Sequence, residues 1–171
     1  MDSFVPVPAE DPPAVEQPLD GVAAHVEALD RLVALARSTV RVFDVDMTGM
    51  GWNDPRRVAS LLAFLRGSRD ARMQVIVHDT RHLESACPRL LGLLRQWSAA
   101  ITIYRTGPEA RHAMDPLTIV DGRHFVHRFH ATQPRGVLVT NDPARTNVLQ
   151  RRFEEIWATG EPGLNGTVLG L

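Results

Sequence analysis

Residues Met114–His130 read MDPLTIVDGRHFVHRFH, and this stretch decides the fold. Two apolar, β-branched runs, Pro116–Val120 and His124–Phe129, flank Asp121-Gly122-Arg123. Asp-Gly at so short a gap is the strongest local signal of a β-hairpin, because both turn positions need a backbone conformation that these residues tolerate. With a side-chain period of two, His124, Arg128 and His130 share one face of the second strand, and Phe125, His127 and Phe129 share the other.

Upstream of the hairpin, helix and strand patterns alternate. A helix is expected from Asp20 as cap to about Ser38, with Val22, Val26, Leu29, Val33 and Ala36 on one face. Thr39–Asp46 reads as a strand, and Asp54-Pro55 opens a second helix with a cap and an N1 proline. Arg72–His78 is a strand. A helical segment from about Arg81 to Ser98 follows, with a break at Pro88, and then a strand at Ala100–Arg105. Downstream, Arg135–Thr140 is a strand. Asp142-Pro143 opens a last helix with Leu149, Phe153, Ile156 and Trp157 inside, and Glu161–Leu171 reads as a Gly-rich surface tail. The alternation predicts an α/β fold with a mostly parallel sheet flanked by helices. Met1–Pro18 holds five prolines and four acids and reads as a disordered Pro-rich tail, with one α/β domain over 19–171.

The composition bounds the chemistry. The chain has 171 residues and a net charge of -1, and all nineteen of its basic side chains are arginine. Without lysine, neither a Schiff base nor a lysine-held phosphate is available. The near-zero charge argues against nucleic acid as a partner. A single cysteine, Cys87, permits no internal disulfide and fits a reducing compartment. No apolar run reaches membrane-spanning length, and no signal peptide opens the chain, so a cytoplasmic location without membrane contact is expected.

The order of elements, and above all the strand Pro116-Leu117-Thr118-Ile119-Val120 running into Asp121-Gly122, resembles one half of the phospholipase D-like fold. Asn141-Asp142-Pro143 with Phe153, Glu154, Ile156, Trp157 and Pro162 is similar to that family's closing helix. The resemblance covers roughly Leu19 to Pro162 and extends to an uncharacterised bacterial group of such half-domains. It implies a signature, HxKxxxxD, in which a histidine attacks phosphorus, a lysine neutralises the phosphate, and a histidine from a second half protonates the leaving group. Anchored on Asp121, that signature places Met114 at the nucleophile and Pro116 at the lysine. Neither residue can do the work, and His112 lies two residues early, about 7 Å along a strand. Arg128 and Phe129 stand where the family carries Gly-Ser. The fold is carried over and the active site is not: the HKD motif is degenerate.

Other candidates sit around this stretch. His124, Arg128 and His130 are read as anion-binding residues, with no metal site, since zinc needs three or four converging ligands at spacings absent here. Asp44 and Asp46 lie at the end of the first strand, where ligands bind in open α/β sheets. Arg56-Arg57, Arg151-Arg152 and Arg135 read as solvated helix faces and the start of a strand. His82, Ser85 and Cys87 lie on a helix with no elbow to expose a nucleophile.

Two functions follow. The first is a non-catalytic phospholipase D-like domain with a binding or scaffold role, no cofactor, and a homodimeric state joined near Asp121–Arg128. The alternative is a divergent phosphodiesterase or nuclease using His112 or His124 with Arg128, with Asp121 in the site. Convergence of these side chains in one cleft discriminates the two.

Overall fold

The computed structural model describes residues 10–166. The first nine residues of the expected tail lie outside the described residues. The elements in chain order are β1 (Val15–Asp20), α1 (Val22–Ala34), β2 (Thr39–Asp44), α2 (Pro55–Gly67), β3 (Arg72–Val77), α3 (Arg81–Ala86), α4 (Pro88–Gln96), β4 (Ile101–Arg105), a 3₁₀ turn (Pro108–Ala110), β5 (Leu117–Val120), β6 (His124–His130), β7 (Gln133–Thr140), α5 (Pro143–Ala158) and β8 (Glu161–Leu164).

One sheet runs in the order β1-β7-β6-β5-β2-β3-β4-β8. Among the described residues only β2–β3 and β3–β4 are parallel. The β1–β7, β7–β6, β6–β5, β5–β2 and β4–β8 pairs are antiparallel. The sheet is therefore mixed and mainly antiparallel, not mostly parallel as expected. Parallel neighbours need a crossover, and the crossover helices α2 and α3–α4 end with β4. The hairpins that follow pair antiparallel by construction.

Both edges differ from the sequence reading. Val15–Pro18 belong to a strand rather than to an unstructured tail. They pair with Val137–Thr140, the Thr140 hydroxyl donates to the Pro13 carbonyl at 2.7 Å, and Glu16 pairs with Arg145 at 3.0 Å. An edge strand tolerates Pro18, whose missing N–H would break a central ladder. Glu161–Leu164 forms the other edge against β4 instead of draping over the surface. Asp20 ends β1 and does not cap α1. The cap position is Gly21, at φ 97°, a conformation open to glycine.

Local signals elsewhere act as read. Asp54 accepts from the Arg56 N–H at 2.8 Å and Asp142 from the Arg145 N–H at 3.0 Å, each with proline at the next position. The helical segment breaks at Cys87-Pro88. Among the described residues no helix is long and apolar enough to cross a membrane.

Two apolar layers cover the sheet. Leu29, Leu32, Leu61, Leu65, Leu90 and Leu94 of α1, α2 and α4 pack on Val40, Val42, Val75, Val126 and Leu138. On the opposite face, Phe153 and Ile156 of α5 pack on Phe43, Ile119, Phe125 and Val139. Helix α1 is rotated from its expected phase: Val22 is 48% exposed, and His25 takes a place in the buried stripe at 1%. Arg57, read as solvated, is completely buried.

Candidate functional site

Strand pairing lines up a row of residues across the sheet at the carboxyl end of β2. Phe43 pairs with Leu117, which brings Asp44 level with Pro116. The Arg128 N–H donates to the Pro116 carbonyl at 2.9 Å, Arg128 pairs with Gly136, and Gly136 pairs with Leu19. Helix α1 crosses this row. Gly136 makes the crossing possible, because a Cβ there would stand 2.9 Å from His25 Nε2 and 2.2 Å from the His127 carbonyl oxygen.

The result is a small buried crevice of about 20 Å³, lined by His25, Phe43, Asp44, Trp52, Thr118 and Arg128 among others. That is room for about one water molecule. The tautomer of His25 follows from geometry. Its Nδ1 lies 2.9 Å from the Gly21 carbonyl. A carbonyl only accepts, so Nδ1 carries a proton toward it, and Nε2 is the ring nitrogen left to face the crevice. That Nε2 is buried and has no partner among the described residues. Asp44 is 7% exposed. Burial pushes its carboxyl up to about 6, the charge of Asp46 adding to this and the Val45 N–H opposing it. Arg128 Nε donates to the Gln133 carbonyl at 2.9 Å, which anchors the head of its side chain at the β6–β7 turn. An imidazole, an acid and a cation thus line one crevice at the place where open α/β sheets bind ligands.

The other candidates disperse. His112 is exposed on the loop after the 3₁₀ turn. His124 is buried at the far end of β6. Its Nδ1 accepts the Asn141 N–H at 2.7 Å, and burial lowers its pKa. Four strand residues separate it from Arg128, about 13 Å. His130 is exposed and holds its own turn, its Nδ1 accepting the Thr132 N–H at 3.1 Å. The anion-binding set His124, Arg128 and His130 therefore does not converge.

Asp121 accepts from the N–H groups of Arg37, Ser38 and Thr39 and from the Ser38 hydroxyl, at 2.8 to 3.2 Å. It sits at φ 55° and ties the β5–β6 turn to the α1–β2 connection. Its lone pairs are committed to the fold. Asp46 accepts the Thr48 N–H at 3.0 Å in the next loop. The Ser85 hydroxyl donates to the Arg81 carbonyl at 2.9 Å, and burial pushes the Cys87 thiol up, away from nucleophilic use. No group of three or more His, Cys, Asp or Glu among the described residues is placed to hold a metal ion.

Two clusters escaped the sequence reading. His25 was hidden by its position in an apolar helix stripe. On the other sheet face, Asp115 bonds His127 Nε2 at 2.8 Å and Arg152 Nε at 2.9 Å. Burial raises its carboxyl, but those partners outweigh burial and hold it at about 2.

This mixed sheet, crossed by α1 and backed by α5, is an α/β fold similar to that of solved phospholipase D family structures. A phospholipase D family member, Nuc from Salmonella typhimurium, superposes with a TM-score of 0.61 at 15% identity, over 88% of this chain and 99% of that one. NucT from Helicobacter pylori gives 0.58 at 12% identity, over 88% and 100%. The phosphatidylserine synthase of Haemophilus influenzae gives 0.53 at 16%, over 91% of this chain and 41% of that one. The chain belongs to the family described as Domain of unknown function (DUF7931), whose pattern it matches over residues 21–165. No curated protein matches it.

One further likeness corrects an expectation. TrmBL2, an archaeal chromatin protein with a novel mode of DNA binding, shares the fold with a TM-score of 0.64 at 11% identity, over 94% of this chain and 56% of that one. The same architecture occurs in a DNA-binding protein, so a net charge near zero does not set nucleic acid aside as a partner.

Proposed function

We propose that this chain is a non-catalytic phospholipase D-like domain that serves as a binding or scaffold unit and pairs with a second copy of itself. The observation that carries the reading is the row at the end of β2. Pro116, the residue aligned with the family's lysine, stands between Asp44 and Arg128, and the crevice beneath α1 has room for about one water. A phosphodiester does not fit there without α1 moving. Met114 and Pro116 supply neither a nucleophile nor a cation, so the HKD motif is degenerate in its chemistry while its aspartate persists as a structural tie.

The pairing is supported by size and surface. The chain spans 41% of the synthase and nearly all of Nuc, the proportions of one half and one unit. The hairpin near which two copies are expected to join, by sheet edge or face, lies in the middle of the sheet, so a face and not an edge is open there. Its apolar surface is on the α5 face, where Phe129 of β6 is 58% and Val148 of α5 is 67% exposed beside a groove shared with His127 and Leu149.

The test is turnover of bis-p-nitrophenyl phosphate by the purified chain. None is expected. Turnover that disappears in His112→Ala, His25→Ala or Arg128→Ala would overturn the reading. One observation favours a second reading, a rearranged phosphodiesterase: His25 has a buried Nε2 with no partner among the described residues, in the same crevice as Arg128. The separation of His124 from Arg128, about 13 Å along β6, speaks against the version built on that pair.

A further inference from the structure

At the opposite end of the sheet from the crevice, the amino ends of β3 and β4 open onto a groove of about 430 Å³ between the end of α2 and the end of α4. Its volume is that of a small-molecule cleft. Arg66, Arg69 and Arg72 wall it, Leu65, Ala71 and Trp97 form apolar lining, and among the described residues no carboxylate lines it. None of the three arginines is in an ion pair with a described residue. Arg72 is held in place by Nη1 donating to the carbonyls of Arg69 at 2.9 Å and Ala71 at 2.8 Å, bonds that fix its position and leave its charge uncompensated. Asp70, the one acid of this loop, is exposed and does not line the groove. Trp97 adds an indole N–H that is buried and finds no acceptor among the described residues.

Three cations without acids are an electrostatic cost that an anion offsets, and planar guanidinium groups match phosphate oxygens two at a time. The apolar lining asks for more than an inorganic ion: burying it requires a ligand with an apolar or aromatic body next to its phosphate. A tryptophan in the lining suits a nucleobase, which stacks on aromatic rings regardless of sequence.

We infer that the groove between Arg66, Arg69, Arg72 and Trp97 binds a nucleotide phosphate together with its base, either as a free mononucleotide or as the phosphorylated end of a nucleic-acid strand. The site is separate from the crevice under α1 and stands whether or not the chain turns over phosphodiesters.

The test is titration calorimetry of the whole chain at low salt with adenosine monophosphate and with inorganic phosphate, followed by the indole N–H signals in NMR. The chain has three tryptophans, and Trp97→Phe assigns its signal. Adenosine monophosphate is expected to bind at least tenfold more tightly than inorganic phosphate and to shift the Trp97 signal. Arg66 and Arg69 are exposed, so Arg66→Gln with Arg69→Gln leaves the fold intact. That double variant is expected to weaken binding about tenfold per arginine. Arg111→Gln, exposed elsewhere, is expected to change nothing. A 5′-phosphorylated oligonucleotide that binds more tightly than the mononucleotide assigns the ligand to a strand end, and the reverse order assigns it to the free nucleotide. No binding of either, equal affinity for phosphate and mononucleotide, or affinity untouched by the double variant would overturn the inference.

Discussion

Arg57 is completely buried and donates its Nε to Asp30 Oδ1 at 2.7 Å, so α1 and α2 are joined by an ion pair whose cation is in the core and whose acid is 26% exposed. The guanidinium also lies 4.8 Å from the Trp52 ring and donates to the Val26 carbonyl. Burial pulls its pKa down and Asp30 opposes that. Removing the acid strands a buried cation, which costs more than removing the pair. Asp30→Ala is expected to lower stability by about 3 kcal/mol in urea unfolding, and Asp30→Ala with Arg57→Met by less. A double variant less stable than the single would refute this.

Asp121 provides a contrast between a catalytic and a structural aspartate. Asp121→Ala is expected to lose about 2 to 3 kcal/mol, because three backbone donors and a hydroxyl lose their acceptor. Asp121→Asn is expected to lose less, since its amide oxygen keeps some of these bonds and asparagine tolerates the left-handed turn conformation. Thermal unfolding of the two variants checks the order.

The pH dependence of stability has a definite sign at Asp44. Burial first, and then the Asp46 charge, raise its folded-state pKa from 3.8 to about 6. Between those values the folded chain binds the extra proton, so stability falls as pH rises through the window. The span corresponds to about 3 kcal/mol. Asp44→Asn is expected to flatten unfolding free energy between pH 4 and 6 and to be more stable than the parent at pH 7. An unchanged slope would show that Asp44 ionises in the fold as it does in water.

Gly136 tests how closely α1 rides on the row. Gly136→Ala places a methyl against the His127 carbonyl and His25 Nε2. A loss of about 2 to 3 kcal/mol is expected from overpacking. His25→Ala is expected to restore only part of it, since the carbonyl contact is backbone. Full rescue would mean that the side chain alone sets the distance.

Self-association is expected to respond to Phe129 and Val148. A charged residue in an apolar interface is not compensated, so Phe129→Asp with Val148→Asp is expected to shift sedimentation from dimer to monomer at tens of micromolar. Both positions are exposed in the single chain, so its fold is expected to survive. A parent chain that is monomeric at that concentration removes the pairing.

The hairpin was legible because its determinants are local. Asp121 at φ 55° and Gly122 at φ 67° adopt the turn that their side chains allow, whatever packs around them. Asp54-Pro55 and Asp142-Pro143 were legible for the same reason, a cap being a bond between residues two or three apart. The faces of β6 followed from the period of two. The edge strands were not legible. Val15–Asp20 and Glu161–Leu164 contain proline, glycine and acids, and they are strands because β7 and β4 offer open edges.

The candidate site divides in the same way. The sequence by itself determined that the chain has no lysine and that position 114 is methionine, and it pointed to the α/β fold around Asp121-Gly122 that is similar to phospholipase D family structures. Only the tertiary structure decided which polar groups meet. It brought His25 of α1, Asp44 of β2 and Arg128 of β6 to one crevice, buried Arg57, and sent His112 and His124 elsewhere. Side-chain type and local period are carried by neighbours along the chain. Convergence depends on strand order, on a glycine that lets a helix approach, and on the phase of that helix, which residues far apart in sequence set together.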